Sequence, residues 1–194
     1  MGECFQMMDK DFAYLLGALG DGCLVHRKNK GEYCIEYEQK VESWLSNSIL
    51  PRVERLYGKS PKVKQRKSKL YRIRLYSKKA FFEISSSMQN LDSLLNENSE
   101  VKSHFIRGFF DAEGSVPKRK QGMCYRLEIY QKDTSKLELI SKMLSEDFGI
   151  IPNKITNSRD IGQLNVRTRE NISRFKQAIG SEHPLKSQAL ENLF

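Results

Sequence analysis

The chain has 194 residues, of which 39% are hydrophobic and 29% charged, and this length allows one or two domains with a real hydrophobic core. Its 33 Lys and Arg residues exceed its 24 Asp and Glu residues, which gives a formal net charge of +9. Such an excess favours a polyanionic partner, although charge alone fits a merely basic protein equally well.

The cysteines and the apolar runs bear on where the protein works. Cys4, Cys23, Cys34 and Cys124 are scattered and include no C-x-x-C pair, which indicates reduced thiols and neither a disulfide framework nor a zinc site. No apolar run approaches the roughly 20 residues of a membrane span, and the first ten residues lack a hydrophobic signal core. We therefore expect an intracellular protein, in a prokaryotic cytoplasm or an organelle, that is not secreted and has no membrane partner.

In chain order, the first part of the sequence predicts a helix, two strands, a helix, a hairpin and a final helix. Asp9 or Asp11 is the expected N-cap of the first helix, and Pro51 is expected to kink or break the second. The predicted bounds are Phe12–Gly20, Cys23–His26, Cys34–Glu38, Val41–Tyr57, Lys62–Arg66, Tyr71–Tyr76 and Lys78–Met88.

A polar connector over residues 89–98 leads to a second series of elements in the same order. Ser99 is the expected cap of the next helix, and Gly149 is expected to end the one after it. The predicted bounds are Val101–Ala112, Ser115–Lys118, Tyr125–Tyr130, Thr134–Phe148, Lys154–Asn157, Gln163–Arg167 and Asn171–Ile179.

The two series contain the same short sequence motif. Asp21 and Glu113 each precede a glycine, Lys40 and Lys132 each follow a glutamine, and both pairs are 92 residues apart. This internal duplication predicts an α+β fold of two αββαββα halves, residues 1–97 and 98–194, related by a pseudo-two-fold axis. Each half would hold a four-stranded antiparallel sheet. Joining along the first helices is favoured over a tandem of independent domains, because each half has few helices to cover its sheet.

The two acids lie where each half's first helix ends. Unpaired carbonyls make that end partly negative, so a carboxylate there is unfavourable unless a cation offsets it. Magnesium is a hard cation that commonly uses one or two carboxylates together with phosphate. A single such acid is more often a solvated helix end, but duplication at matched spacing favours one shared acidic centre that breaks phosphodiester bonds.

The Gln–Lys pairs and one sheet face complete the predicted machinery. Gln39-Lys40 and Gln131-Lys132 should flank the acids, where lysine could stabilise phosphate charge or assist the attacking water. Strand parity places eight apolar residues on the core side: Ile35, Tyr37, Ile73, Leu75, Leu127, Ile129, Leu164 and Val166. The opposite face is polar and suits base edges in the major groove, although an ordinary solvated face is the alternative. With the basic loops, the predicted DNA contacts are His26, Lys28, Glu36, Glu38, Arg72, Arg74, Tyr76, Lys118, Arg119, Arg126, Glu128, Tyr130, Gln163, Asn165 and Arg167.

At this point a family resemblance becomes visible. Ile106–Gly114 closely resembles the LAGLIDADG motif, and Tyr14–Gly22 is a looser copy. With the duplicated strand and the segment Ser181–Lys186, nearly the whole chain resembles the double-motif, single-chain homing endonucleases. The looser copy departs from the pattern, because Leu16 stands where Gly108 stands in the second copy and Gly17 comes one residue late.

The resemblance implies a monomer whose motif helices pack at the pseudo-dyad and whose sheets lie in the major groove of double-stranded DNA. It implies Mg²⁺-dependent cleavage that leaves short 3′ overhangs, with two or three divalent ions shared between the acids. The implied metal ligands are Asp21, Glu113 and the carbonyls of Gly20 and Ala112, and Asp111 has a structural role.

Three functions are compatible with these features. The leading hypothesis is a site-specific double-strand DNA endonuclease. An RNA maturase that binds structured intron RNA, and a DNA-binding protein of the same fold that does not cleave, are the alternatives.

Overall fold

The computed structural model describes residues 8–117 and 125–194, apart from the side chain of Asp21. The first half holds α1 (Lys10–Gly17), β1 (Gly22–Arg27), β2 (Glu32–Gln39), α2 (Glu42–Trp44), α3 (Leu50–Tyr57), β3 (Lys64–Gln65), β4 (Tyr71–Tyr76) and α4 (Lys78–Gln89). The second holds α5 (Ser99–Glu113), β5 (Gly114–Ser115), β6 (Arg126–Gln131), α6 (Thr134–Phe148), β7 (Thr156–Ser158), β8 (Ile161–Arg167), α7 (Arg169–Ala178) and α8 (Pro184–Glu191).

Two four-stranded antiparallel sheets confirm the predicted fold class. Their strand orders are β1-β2-β4-β3 and β5-β6-β8-β7, so the second sheet repeats the first. The eight residues assigned to the core side are at most 1% exposed, as the alternating pattern predicts. The boundary between residues 97 and 98 stays a prediction.

The motif helices α1 and α5 pack against each other through glycines. A Cβ atom on Gly17 would lie 2.1 Å from the Phe105 carbonyl oxygen, and one on Gly108 would lie 2.2 Å from the Tyr14 carbonyl oxygen. The backbones therefore approach more closely than any larger residue allows. The predicted joining of the halves along their first helices is confirmed by this contact.

Several element ends differ from the sequence-based expectation. The first motif helix begins at Lys10 with Asp9 as its N-cap, and its last turn, Ala18–Asp21, is a 3₁₀-helix. The prediction of Ser99 as a cap was wrong, because the Asn98 side chain accepts the Val101 N–H and Ser99 is already helical. The connector contains a 3₁₀-helix at Leu91–Asn96, and α8 was not predicted.

Pro51 neither breaks nor ends its helix. The π-helical segment Leu45–Ile49 joins α2 to α3, and Pro51 lies within the first two positions of α3. A proline there needs no N–H partner, and the wider π turn takes up the i−4 carbonyl that its ring would strike. Within the described residues, no helix combines the length and apolar character needed to span a bilayer.

Candidate active site and nucleic-acid interface

The two motif ends converge. A Cβ atom built on Gly20 would lie 2.7 Å from both Cγ and Oε1 of Glu113. The carboxylate that ends the second motif is therefore in contact with the backbone that immediately precedes Asp21. The side chain of Asp21 lies outside the described part of the chain, and its backbone closes the 3₁₀-helix Ala18–Asp21.

The 3₁₀ turn gives a physical reason for the irregular first motif. Gly17 lies four residues before Asp21, whereas Gly108 lies five residues before Glu113. Four 3₁₀ steps advance about 8 Å, and five α-helical steps advance about 7.5 Å. The tighter turn therefore compensates for the glycine that comes one residue late, and it brings both acids to nearly the same height beyond the helix contact.

Two adjoining cavities bring most of the predicted catalytic residues together. A cavity of about 390 Å³ is lined by Glu113, Gln131 and Gly20, and one of about 430 Å³ by Gln39, Lys40 and Gly20. Gln39 Oε1 accepts the Lys40 N–H at 2.7 Å, and Gln131 Oε1 accepts the Lys132 N–H at 2.8 Å. In each half, the glutamine side chain thus folds back onto the backbone N–H of the lysine that follows it. Lys132 is exposed and lines neither cavity.

Glu113 has a distinctive electrostatic environment. Its side chain is half-buried, and this burial raises the pKa of its carboxyl group. Lys186 and Lys136 oppose that rise, because a nearby positive charge favours the ionised carboxylate. Lys136 lines the same cavity as Glu113. Neither lysine follows the 92-residue repeat, so the duplication could not have found them.

Lys186, in α8, lies against the C-terminal end of α5. Its Nζ atom donates to the carbonyl oxygens of Phe110, Asp111 and Ala112 at 3.0, 2.6 and 3.2 Å. The Ala112 carbonyl, an expected metal ligand, therefore already accepts one hydrogen bond and retains a second lone pair. The segment Ser181–Lys186 that carries part of the resemblance was the available sequence signal for this residue.

Asp111 belongs to a buried network and is fully inaccessible to solvent. Its Oδ2 atom accepts the Tyr14 hydroxyl at 2.5 Å and the Glu182 N–H at 3.0 Å, and its Oδ1 atom accepts the Ser181 hydroxyl. Trp44 Nε1 donates to the Tyr14 hydroxyl at 2.8 Å. These bonds fasten the C-terminal segment and both motif helices together, as a structural role for Asp111 requires.

In the first sheet, ion pairs hold together the side chains of the face predicted to contact DNA bases, called the reading face below. Glu36 is only 9% exposed, and it receives Arg74 Nε at 2.7 Å and Arg72 Nη1 at 3.2 Å. Glu38 receives Arg66 Nη1 at 2.6 Å. Cross-strand arginines cover the Glu36 carboxylate, so this predicted DNA contact has little exposed surface. Arg72 and Arg74 also line a basic cavity of about 590 Å³ with Lys59, Lys62, Lys64 and Tyr76.

The second sheet buries the matching acid against one arginine and two neutral donors. Glu128 is 4% exposed and accepts the Tyr130 hydroxyl at 2.7 Å and Gln163 Nε2 at 3.0 Å, while Arg126 Nε lies 2.6 Å from its Oε1 atom. Asn165, another predicted DNA contact, is only 3% exposed. Tight packing of long polar side chains across neighbouring strands buries both residues.

The remaining predicted DNA contacts of the described part of the chain are mostly exposed to solvent. Lys28 and Arg167 are exposed, and Tyr76 is 46% exposed. His26 is exposed, with its ring stacked on Tyr33 at a centroid distance of 4.3 Å. Lys118 and Arg119 lie outside the described residues.

The donor set fits a small hard cation. Among the side chains that the structure describes, no group of three or more His, Cys, Asp or Glu is arranged so that it could hold a metal ion. The predicted centre needs only two carboxylates with backbone carbonyls and water, which is the usual protein contribution to a Mg²⁺ site. The half-buried Glu113 carboxylate, against the exposed Gly20 backbone, supplies one side of such a site.

Comparison with known proteins now adds to this geometry. The model of the LAGLIDADG-like domain matches residues 100–180, which contain the second motif. The chain is therefore similar to LAGLIDADG proteins, with the family match confined to its second half. Homing endonuclease I-ApeI of Aeropyrum pernix is 28% identical to it over 193 residues, covering 93% of this chain and 85% of that protein.

Solved structures resemble this chain along most of its length. A mesophilic variant of the homing endonuclease I-DmoI has a TM-score of 0.73 and 25% identity, covering 94% of this chain and 97% of that one. I-DmoI in complex with DNA and Mn has a TM-score of 0.69 and 26% identity, covering 88% and 96%. Other I-DmoI complexes contain DNA with Ca, or target DNA in the presence of Mg.

Proposed function

We propose that the protein is a site-specific endonuclease that cleaves both strands of DNA at a long recognition site. The main support for this proposal is the contact of Glu113, at the end of the second motif, with Gly20, at the end of the first. Together with Asp21, Glu113 would form one acidic centre between two sheets with basic, polar faces. One chain supplies both motifs, so a monomer suffices. The I-ApeI and I-DmoI likenesses support the same activity.

The chain's own residues would divide the work of cleavage. Asp21, Glu113 and the carbonyls of Gly20 and Ala112 would hold two or three divalent ions, with Mg²⁺ as the proposed ion. Bound there, the metal would activate water and stabilise the leaving oxygen. Lys40 and Lys132 would stabilise charge on the scissile phosphates, and Gln39 and Gln131 would orient water.

DNA binding would use the reading face and the basic loops. Arg72, Arg74, Tyr76, Arg126 and Gln163 remain partly or fully accessible there. The buried carboxylates of Glu36 and Glu128 would fix the direction of the arginines, so that their guanidinium groups reach base edges or phosphates. Lys118 and Arg119 would add phosphate contacts beside the second sheet.

Two isosteric variants test this centre. Asp21→Asn and Glu113→Gln should each abolish metal-dependent cutting of the intronless host allele and leave DNA binding nearly unchanged. The control is Glu138→Gln, which changes an exposed acid on α6. Mapping the ends with Mg²⁺, Mn²⁺ and Ca²⁺ should give short 3′ overhangs with Mg²⁺. Undiminished cleavage by either acid variant would refute the site.

A maturase activity is the second candidate, and a surface patch favours it. Phe82 is 51% exposed and lies 5.2 Å from Tyr33, which stacks on His26 and has Lys78 Nζ 5.8 Å from its ring centroid. Exposed rings beside lysines suit stacking of unpaired RNA bases. A splicing assay of the host intron, with wild type and Phe82→Ser, distinguishes this role, because the acid variants should still splice.

A further inference from the structure

The C-terminal helix brings a cation to the end of the second motif helix. Lys186 in α8 donates hydrogen bonds to three consecutive carbonyls of the last turn of α5. The last four carbonyls of a helix lack intrahelical partners and carry the negative end of its dipole. The Lys186 ammonium is therefore placed where it satisfies these groups, and Glu113 is the residue that follows them.

The segment that carries Lys186 is itself anchored to α5. Ser181 and the Glu182 N–H bind the Asp111 carboxylate, and the Glu182 carboxylate binds Arg52 at 2.7 Å through each of two nitrogens. The Lys186 N–H then donates to the His183 carbonyl at 3.0 Å. The ammonium is thus held in a fixed position relative to the helix end that it binds.

The repeat gives the first motif no equivalent lysine. The residues 92 and 91 positions before Lys186 are Leu94 and Leu95, both in the 3₁₀-helix Leu91–Asn96. The first motif helix instead ends in the 3₁₀ turn Ala18–Asp21. The two half-sites therefore have equivalent acids on differently supported helix ends.

We propose that Lys186 is a positioning residue for the second half-site of the cleavage centre, an inference that rests on the proposed endonuclease function. Its ammonium fixes the last turn of α5, so that the free lone pair of the Ala112 carbonyl and the Glu113 carboxylate face the shared metal site. Without that cation the Asp111 and Ala112 carbonyls lose this partner and turn toward water, whereas the Phe110 carbonyl still accepts the Gly114 N–H. The Ala112 carbonyl and the Glu113 carboxylate then leave their aligned positions.

Lys186→Met tests the proposal, because methionine keeps most of the aliphatic stem and removes the charge and the donors. The matched control is Lys176→Met, which removes a lysine that pairs with Glu191 at 2.6 Å in the same region. The single-turnover cleavage rate should fall by about 10–100-fold, as for other residues that orient metal ligands. Calorimetry should also show weaker Ca²⁺ binding by the protein–DNA complex, with DNA affinity and thermal stability near those of the control.

A strand-resolved assay separates positioning from a general loss of structure. With supercoiled plasmid, Lys186→Met should accumulate nicked circles, because only one half-site loses its support. Equal slowing of both strands, or cleavage at the wild-type rate, would overturn the proposal. If Lys186→Met does not fold, Lys186→Gln is measured in its place: it removes the charge and has only two amide hydrogens for the three carbonyls, so nicked circles should still accumulate. Failure of the wild-type protein to cut would instead refute the endonuclease function.

Discussion

The Glu113 side chain packs directly against the α-carbon of Gly20, so the end of each motif shapes the other's half-site. The missing Cβ of Gly20 leaves the space that Glu113 Cγ and Oε1 occupy. This contact explains why a glycine is needed just before Asp21, where backbone conformation alone does not demand one.

Replacing Gly20 by alanine tests this relationship. The new methyl group would lie 2.7 Å from Cγ and Oε1 of Glu113, which can move away because they belong to a flexible side chain and not to the backbone. We expect Gly20→Ala to change the free energy of unfolding by less than about 1 kcal/mol while cleavage falls strongly. Urea unfolding and a cleavage time course on the same preparation measure both effects. Wild-type cleavage would contradict the proposed position of Glu113.

Gly108→Ala should behave in the opposite way. Alanine is intrinsically better than glycine inside a helix by about 1 kcal/mol, yet its methyl group would lie 2.2 Å from the Tyr14 carbonyl oxygen and 3.0 Å from the Ala18 nitrogen. Because backbone cannot yield as a side chain does, the helices must separate. We expect a net loss of about 1–3 kcal/mol or more in unfolding free energy.

The control for that experiment is Gly31→Ala. Gly31 has φ +61° and open space around its α-carbon, so the methyl group meets no atom and only the left-handed backbone conformation costs energy, about 1 kcal/mol. Chemical denaturation should rank Gly108→Ala as the more damaging change. The reverse order would mean that the motif helices are not closely packed at this point.

Local signals predicted the elements whose ends they determine. Thr134–Phe148 was predicted with the bounds observed, because apolar residues recur at helical spacing and Gly149 ends the helix with φ +60°. The duplicated sequence motif predicted two matching sheets and a contact along the motif helices. These properties depend on residues near in sequence or on the repeat itself.

The rest depends on contacts between distant segments. The burial of Glu36 results from arginines two strands later in the sequence, and the capping of α5 results from Lys186, more than seventy residues away. The 3₁₀ end of the first motif follows from where Gly17 meets Phe105 across the helix pair. No local pattern in the sequence encodes these distances.

The Glu36 carboxylate restrains two arginines of the reading face, which leads to a prediction about DNA selectivity. Glu36→Gln removes the charge that pairs with Arg72 and Arg74, so both arginines become free to bind phosphate on any sequence. We expect affinity for non-specific DNA to rise several-fold, and the slope of log K against log salt to steepen by about 1–2.

Fluorescence anisotropy of a random duplex at several salt concentrations measures this slope. The matched control is Glu54→Gln, which changes an exposed acid on α3 and raises the net charge by the same amount. Equal slopes for the two variants would show that the effect is one of total charge and that Glu36 does not restrain the arginines.

Because of His183, we expect the free energy of unfolding to fall in mild acid. It is 4% exposed and packs against Trp44 with ring centroids 5.9 Å apart. Burial, with the nearby Lys186 charge, lowers the pKa of its imidazole to about 4. The unfolded chain, with an ordinary histidine pKa near 6.5, takes up the proton first. Stability is therefore fully present above about pH 6.5 and is lost as the pH falls toward 4.

His183→Gln should reduce that dependence. Between pH 7 and pH 5, the wild-type protein should lose on the order of 1–3 kcal/mol through this residue, and the variant should not. Other groups also titrate: burial lowers the pKa of His104, and burial raises the pKa of Asp111 and Glu113, which act in the opposite direction. The decisive measurement is therefore the difference between wild type and variant in urea unfolding at each pH. Parallel curves would show that His183 is already protonated in the folded protein, or that its burial carries no cost.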